Sequence, residues 1–452
     1  MFSKILIANR GEIAVRIIRA CREMGISTVA IYSEADKDAL HVELADESYC
    51  VGGPLVTDSY LNMAAILTVA IETGAQAIHP GYGLLSENAK FVSLCEQCNI
   101  EFIGPSSQMI SLLGDKDMAR KTMRNAGVPV TPGCDVCESL EQAKKEAERI
   151  GFPLLIKARS GGGGRGIRRV DSMEEFANAY NSAQSEAASA FGDGAVYIEK
   201  FLHPVKHIEM QILCDKYGNV LCLGERECSV QRKNQKLIEE SPSPAITDEI
   251  RKGMMDASVK AAKAVDYVNA GTVEFLLDKD NNFYFMEMNT RLQVEHGVTE
   301  MVTGMDIVQW QIRIAAGAEL NKKQSEVFIH GHAIECRINA ENPDENYRPS
   351  CGTIQRLHVP GGSFVRFDTA IYQDYTIPPF YDSMVGKLIV QARTREHAIR
   401  KMKMALSELN VIGIDHNRDL QIEILSDPRF LDGSYTTDFM IDFEEKKKAR
   451  KK

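Results

Sequence analysis

Ile13, Ile17, Cys21 and Met24 recur at helical spacing behind a short apolar run from Lys4 to Ala8, and a second apolar run follows from Ser27 to Tyr32. That pattern predicts a strand, a helix over about Glu12 to Met24 and a second strand, the βαβ unit of a parallel sheet. Further strands near Ala75 to Ile78 and Glu101 to Gly104 continue the alternation, so the first domain reads as α/β. The segment from Val128 to Pro132 breaks the helical pattern before it, and a helix restarts at Ser139, where Gln142 completes a capping box. A strand over Pro153 to Ala158, a tetraglycine run, a strand over Ile167 to Val170 and a helix opening at Ser172 form a small α+β unit ending near Leu202. Strands near His207 to Cys214, Val220 to Leu223, Gly271 to Asp278 and Phe283 to Asn289 follow, with a helix over about Asp248 to Val265 among them. From about Gly331 short strands and helices mix without internal repeats.

Length turns this alternation into a multidomain chain, because 452 residues exceed what one hydrophobic core serves. The first apolar run passes directly into Asn9-Arg10-Gly11-Glu12, without a secretory core or cleavage site, and no apolar run reaches bilayer length. A cytoplasmic protein with no membrane partner is expected. The net charge of -10 disfavours a nucleic-acid partner, and the basic run from Lys446 to Lys452 reads as a frayed, solvated tail. Eleven cysteines without a secretion signal predict free thiols. Cys95/Cys98 and Cys134/Cys137 each have CxxC spacing, but the 35 residues between the pairs exceed a zinc-ribbon separation, so no shared metal is expected.

The first strand-helix turn, Asn9-Arg10-Gly11-Glu12-Ile13-Ala14, lacks the GxGxxG fingerprint of dinucleotide enzymes, and no Walker motif occurs anywhere. The strongest chemical signal lies between Phe283 and His296. There Glu287, Asn289, Arg291, Gln293 and Glu295 occupy alternate positions, and an extended chain would place them on one face. An even-length hairpin centred on Lys279 to Asn282 pairs Asp278 with Phe283 and hence Glu274 with Glu287. Opposed carboxylates repel unless a cation lies between them, and two carboxylates with the Asn289 amide are hard oxygen ligands suited to Mg²⁺. The same letters also describe solvated acids at a hairpin end. Lys116, Lys157 and the run Gly161, Gly162, Gly163 and Gly164 supply cations and backbone donors for phosphates, the glycines reading as a mobile flap. His207, Glu209 and Gln211 share one face of their strand, open either to nucleotide or to solvent.

Ile7 to Ala14, His79-Pro80-Gly81-Tyr82-Gly83, Ser86-Glu87-Asn88, Gly161 to Gly166, Glu287 to His296 and Glu335 to Glu341 together closely resemble biotin carboxylase, over about Ile5 to Met440. The resemblance implies an ATP-grasp fold of mixed α/β and α+β domains. Its parts would be an N-terminal Rossmann-like α/β domain (1-113), an ATP-grasp domain (114-330) with a mobile lid of about 131-202, and a C-terminal domain (331-446), followed by the basic tail (447-452). It implies ATP bound by Lys116, Lys157, Gly161 to Gly164, Glu199, Lys200, Leu202, His207, Gln231 and Asn234. Mg²⁺, or Mn²⁺ in its place, would be held by Glu274, Glu287 and Asn289. Bicarbonate would be held by Arg291, Gln293, Val294 and Lys236, with Glu295 as the base. Biotin would lie by Tyr82, Gly83 and Arg337, which stabilises its enolate. The implied reaction is ATP-dependent carboxylation of biotin through carboxyphosphate.

Lys401-Met402-Lys403-Met404 resembles a biotinylation signature but lies in a helical pattern, so the biotin is expected on a carrier protein that also serves carboxyltransferase subunits. A homodimer and the first half-reaction of acetyl-CoA carboxylase in fatty acid synthesis are likewise implied, with pyruvate or another acyl-CoA as alternative acceptors. A different ATP-grasp carboxylate-amine ligase is the nearest rival, ahead of a regulatory subunit without turnover. Asn234 stands where many relatives have His, and Arg159-Ser160 and Ile167 depart from the family's usual residues around the glycines.

Overall fold

A computed structural model of the chain describes residues 1–159 and 166–451. Gly161 to Gly164 therefore lie outside the described residues. Five parallel strands form the first sheet in the order Glu47–Gly52, Ser27–Ser33, Lys4–Ile7, Ala77–His79 and Glu101–Phe102. Ile5, Leu6 and Ile7 are all buried, because helices cover both faces of a parallel sheet. The helix Gly11–Glu23 begins one residue before the expected start, and it buries Ile13, Ile17 and Cys21 against the sheet. At the turn before it, Asn9 Nδ2 donates to Pro80 O at 2.6 Å and Tyr82 O at 2.8 Å. This clasp requires Gly81, where φ is 62° and a Cβ would stand 2.9 Å from Asn9 Nδ2.

The small unit is an antiparallel sheet in the order Ile167–Val170, Leu154–Ala158, Val196–Lys200, covered by helices Leu140–Ile150 and Met173–Phe191. Ser139 caps the first of these helices by accepting from Gln142 N at 3.2 Å. Cys134 and Cys137 belong to this unit's core and Cys95 to that of the first domain, so the two pairs do not meet.

An eight-stranded antiparallel sheet carries the rest, in the order Phe283–Asn289, Asn269–Asp278, Val205–Cys214, Val220–Arg232, Gln235–Ser241, His332–Asn339, Met384–Ala392, Val365–Thr369. It continues across Gly331, since Gln235–Ser241 pairs with His332–Asn339. Two expectations need correction here. The strand starting at Val220 runs to Arg232 rather than Leu223, and Gln235–Ser241 is a strand that the apolar pattern does not announce. Both are dense in charge, yet Glu225, Arg226, Glu227, Glu239 and Glu240 are buried. The basic tail also differs from the frayed segment expected: helix Phe439–Lys451 runs through it, and Lys447 Nζ pairs with Glu423 at 2.9 Å. Lys401 to Met404 lie within helix Arg395–Glu408, as their pattern indicates. Among the described residues no helix is long and apolar enough to cross a membrane.

Candidate active site

Glu274 and Glu287 are directly opposed across the hairpin, reached by a route other than the expected one. Leu277 pairs with Phe283, so the loop holds five residues, Asp278 to Asn282, and the strands leave it one residue out of step. Asn281 turns the loop with φ 65°. An extra residue, Met286, bulges between the Phe275–Phe285 and Glu274–Glu287 pairs and restores the alignment. The strand ends at Asn289, so alternation does not carry on to Glu295 as expected. Arg291 and Gln293 sit in the following turn, and Glu295 is the residue before helix His296–Thr303. The turn, rather than a continuous strand face, folds these side chains onto one another.

Charges converge below the hairpin. Lys236 Nζ donates to Glu209 Oε2 at 2.7 Å, Glu274 Oε1 at 3.2 Å and Glu295 Oε1 at 2.5 Å. Arg337 donates to Glu295 Oε2 at 2.9 Å and, through Nε, to Glu239 Oε1 at 2.7 Å. Burial alone would raise the Glu295 carboxyl, but Lys236 and Arg337 hold it well below the usual carboxylate range. Burial likewise opposes ionisation of Glu274, and Lys236 and His207 overcome it; His207 Nε2 lies 2.9 Å from Glu274 Oε2. Arg291 Nε donates to Glu87 Oε2 at 2.8 Å and Nη1 to Gln293 Oε1 at 2.7 Å.

Glu287 differs from its partner. No described residue hydrogen-bonds to it, and Lys116 Nζ stays 3.9 Å away. It is half-buried, and that burial together with the Glu274 charge raises its carboxyl. Two opposed carboxylates, one lacking a close cation, are a donor set that fits a hard divalent ion. Asn289 is less free: its Nδ2 donates to Glu274 Oε1 at 2.8 Å, and its Oδ1 accepts from Arg291 at 3.3 Å.

The nucleotide candidates divide between two sheets. Lys157 Nζ pairs with Glu199 Oε2 at 2.5 Å in the small unit, Leu202 follows the end of strand Val196–Lys200, and Lys200 Nζ is occupied by the carbonyls of Gly151 and Phe152 at 3.1 and 2.8 Å. On the large sheet Gln231 Nε2 lies 2.7 Å from His207 Nδ1. Asn234 is exposed at a hairpin tip. Tyr82, Gly83, Lys236, Val294 and Arg337 line one cavity of about 370 Å³. The Tyr82 hydroxyl donates to Glu12, a carboxyl that burial pushes up to about 7 despite nearby Lys387.

The sequence assigns no role to Glu239 or Lys387, and Glu87 enters it only within the Ser86-Glu87-Asn88 resemblance. Lys387 is fully buried and its Nζ donates to Val294 O at 2.7 Å. A signal existed: it is a single charge within Met384-Val385-Gly386-Lys387-Leu388-Ile389-Val390, and lysine enters such a strand only when paired. Glu239 carries no comparable local mark.

Comparison with known proteins adds family matches along the chain. Residues 1–110 match the biotin carboxylase N-terminal domain, 115–323 the carbamoyl-phosphate synthase L chain ATP binding domain, and 335–442 the biotin carboxylase C-terminal domain. Biotin carboxylase 1 of Bacillus subtilis is 55% identical over 446 residues, covering 98% of this chain and 99% of that protein. One of the pyruvate carboxylase subunits of Methanothermobacter thermautotrophicus is 52% identical over 98% of this chain and 90% of its own length. The Hydrogenobacter thermophilus 2-oxoglutarate carboxylase biotin carboxylase domain dimer, crystallised with MgADP, ADP and bicarbonate, superposes with a TM-score of 0.93 at 51% identity, covering 98% of both chains.

Proposed function

Because this chain belongs to the biotin carboxylase family of ATP-grasp ligases, we propose that it carboxylates biotin on a carrier protein by activating bicarbonate with ATP, through carboxyphosphate. One observation carries this reading: the Glu295 carboxylate is gripped by Lys236 on one oxygen and Arg337 on the other, and Lys236 also reaches Glu274 of the divalent-ion donor set. In this arrangement Lys236 and Arg337 lower the basicity of Glu295. An anion drawing on the charge of Lys236 would raise it again, so proton abstraction is tied to bicarbonate being in place. Glu274 and Glu287 would hold Mg²⁺, which when bound neutralises the phosphate oxygens. Lys116 and Lys157 would orient the phosphates. Arg337, in the cavity with Tyr82 and Gly83, would stabilise the biotin enolate by charge-assisted hydrogen bonding.

Relatives acting in pyruvate and 2-oxoglutarate carboxylases support carboxylation of a carried biotin without selecting the final acceptor. Within this reading we place the chain in acetyl-CoA carboxylase, with a biotin carboxyl carrier protein and carboxyltransferase subunits as partners. A homodimer is part of the same reading, supported by the dimer of the Hydrogenobacter relative. The domain limits proposed above, 1-113, 114-330 and 331-446, belong with it. Purified protein is expected to hydrolyse ATP only with bicarbonate, and faster when free biotin or biotinylated carrier is added. Hydrolysis that needs an amine and ignores bicarbonate would assign the site to a carboxylate-amine ligase instead.

A further inference from the structure

The chain enters the small three-stranded unit through one extended segment. Phe285 N donates to Pro129 O at 2.7 Å and Val130 bridges to Phe285, which fixes the start of the segment to the large sheet. Gly133 then bridges to Glu199, Cys134 N donates to Ile198 O at 2.9 Å and Cys137 N to Val196 O at 3.1 Å, all on the small sheet. Thr131 to Gly133 is thus the crossing between the two sheets. It is tight, because a Cβ on Gly133 would stand 2.5 Å from Ile198 O.

The two thiols just beyond the crossing touch, with Sγ atoms 3.5 Å apart. A disulfide needs about 2.05 Å, so closure is a contraction of about 1.5 Å. Cys137 also lines a surface hollow with Val136, Glu138, Gln184 and Gly194, the side from which an oxidant would approach. The hydrogen bond from Cys137 holds the Cys134 thiol below its usual range, which favours a thiolate there. The pair is wired to the nucleotide side. Arg120 donates to Cys134 O at 3.0 Å and Thr131 O at 2.6 Å, its Nε lies 3.4 Å from Glu199 Oε1, and Glu199 Oε2 meets Lys157 at 2.5 Å.

We propose that Cys134 and Cys137 are a modification site: a peroxide converts them to a reversible disulfide that pulls on the crossing and weakens ATP binding. The Cys134 thiolate attacks one peroxide oxygen, the O–O bond breaks, and the other oxygen leaves as water after protonation. Cys137 then attacks the resulting sulfenic sulfur and expels the second water. Two thiols and hydrogen peroxide become one disulfide and two waters, the sulfurs being oxidised and the peroxide oxygens reduced. A dithiol reductant reverses the bond. Contraction draws in the Cys134 carbonyl and loosens Arg120 from Glu199, which is why weaker ATP binding is expected. That consequence rests on the nucleotide reading above, whereas the thiol chemistry stands apart from it.

The test titrates the full chain with hydrogen peroxide, blocks remaining thiols by alkylation and maps them by mass spectrometry, with exposed Cys50 and Cys351 as internal references. Cys134 and Cys137 are expected to lose alkylation together in a peptide lacking two hydrogens, at doses no higher than those that modify the references. Dithiothreitol should restore both. In bicarbonate-dependent ATP hydrolysis, oxidation should raise KM for ATP on the order of fivefold, reversibly. Cys137→Ser should keep the unoxidised KM and lose the response. The proposal is overturned if both thiols stay alkylatable, if they appear as sulfinic acids or bonded to other cysteines, or if Cys137→Ser responds like the parent. A disulfide that leaves KM unchanged overturns its regulatory part. Absence of ATP hydrolysis in any form would count against the nucleotide reading while the mapping still decides the disulfide.

Discussion

Glu295 and Arg337 share a hydrogen bond of 2.9 Å, yet the chemistry proposed for them differs. In the proposed reaction Glu295 would accept a proton from bicarbonate, whereas Arg337 would act on biotin. Glu295→Gln keeps the shape and removes the charge, so bicarbonate-dependent ATP cleavage should fall by about 10²- to 10⁴-fold. Arg337→Ala should leave most ATP cleavage and abolish biotin carboxylation, uncoupling the two. Assaying both partial reactions in each variant checks this, and equal losses in Arg337→Ala would contradict the division. Glu240 shows a purely structural use of the same chemistry. It accepts from Arg395 at 2.7 and 2.9 Å, and His332 and Tyr435 each approach it to 2.5 Å. Burial would raise its carboxyl, but His332 and Arg395 lower it from 4.5 to about 2. With the folded value depressed, its contribution to stability is complete above 4.5 and is lost as pH falls to about 2. Glu240→Gln should remove that dependence and cost about 3 kcal/mol at neutral pH, because Arg395 keeps a buried charge without its partner. Urea denaturation at neutral pH and within that acid window measures both effects.

At the scale of elements, the hairpin between Val220–Arg232 and Gln235–Ser241 delivers Lys236 to Glu295. Arg232 pairs with Gln235, leaving Lys233 and Asn234 as a two-residue loop with φ of 49° and 64°. This is type I′ geometry, in which asparagine is favoured and β-branched residues are strained. Asn234→Gly should leave the melting temperature near that of the parent. Asn234→Val should cost about 1–2 kcal/mol and raise KM for bicarbonate, since Lys236 lies two residues away. A melting temperature unmoved by valine would show that the turn is not held in this form. The same hairpin marks the limit of legibility. The βαβ start and the small unit are readable because apolar periodicity encodes them, whereas the Glu274–Glu287 pairing comes out right only because a loop taken one residue too short and an unseen bulge offset each other. The hairpin strands are not, because Arg226 is buried by partners far along the chain, Glu209 and Thr299 among them, and so looks like a surface residue locally. Met286 shows the same limit: nothing in its side chain signals a bulge, and the expected pairing comes from a loop one residue too short.

At the scale of the whole molecule, the site depends on how three regions meet at Glu300. This residue, on helix His296–Thr303, accepts from Arg16 of the N-terminal helix Gly11–Glu23 at 3.0 Å and from Arg366 of the C-terminal strand Val365–Thr369 at 2.7 Å. It also accepts from Ile307 N at 2.8 Å. Burial opposes its ionisation, but Arg16 and Arg366 hold the carboxyl below the ordinary range. Because Glu295 directly precedes this helix, anything that tilts the helix moves the proposed base. Glu300→Gln leaves Arg16 with Asp306 at 2.8 Å and Arg366 with Asp368 at 2.5 Å as remaining partners, so the cost should be about 1.5–3 kcal/mol, and bicarbonate-dependent turnover should fall with it. Added salt should not restore stability, since the ion pairs are largely shielded from solvent and screening acts mainly on exposed charges. In urea, a lower midpoint at unchanged slope would mean the three regions still unfold together, and a shallower slope would mean the variant has uncoupled them. An unchanged midpoint with full activity would instead place the cohesion of the molecule in the continuous eight-stranded sheet, with Glu300 contributing nothing measurable.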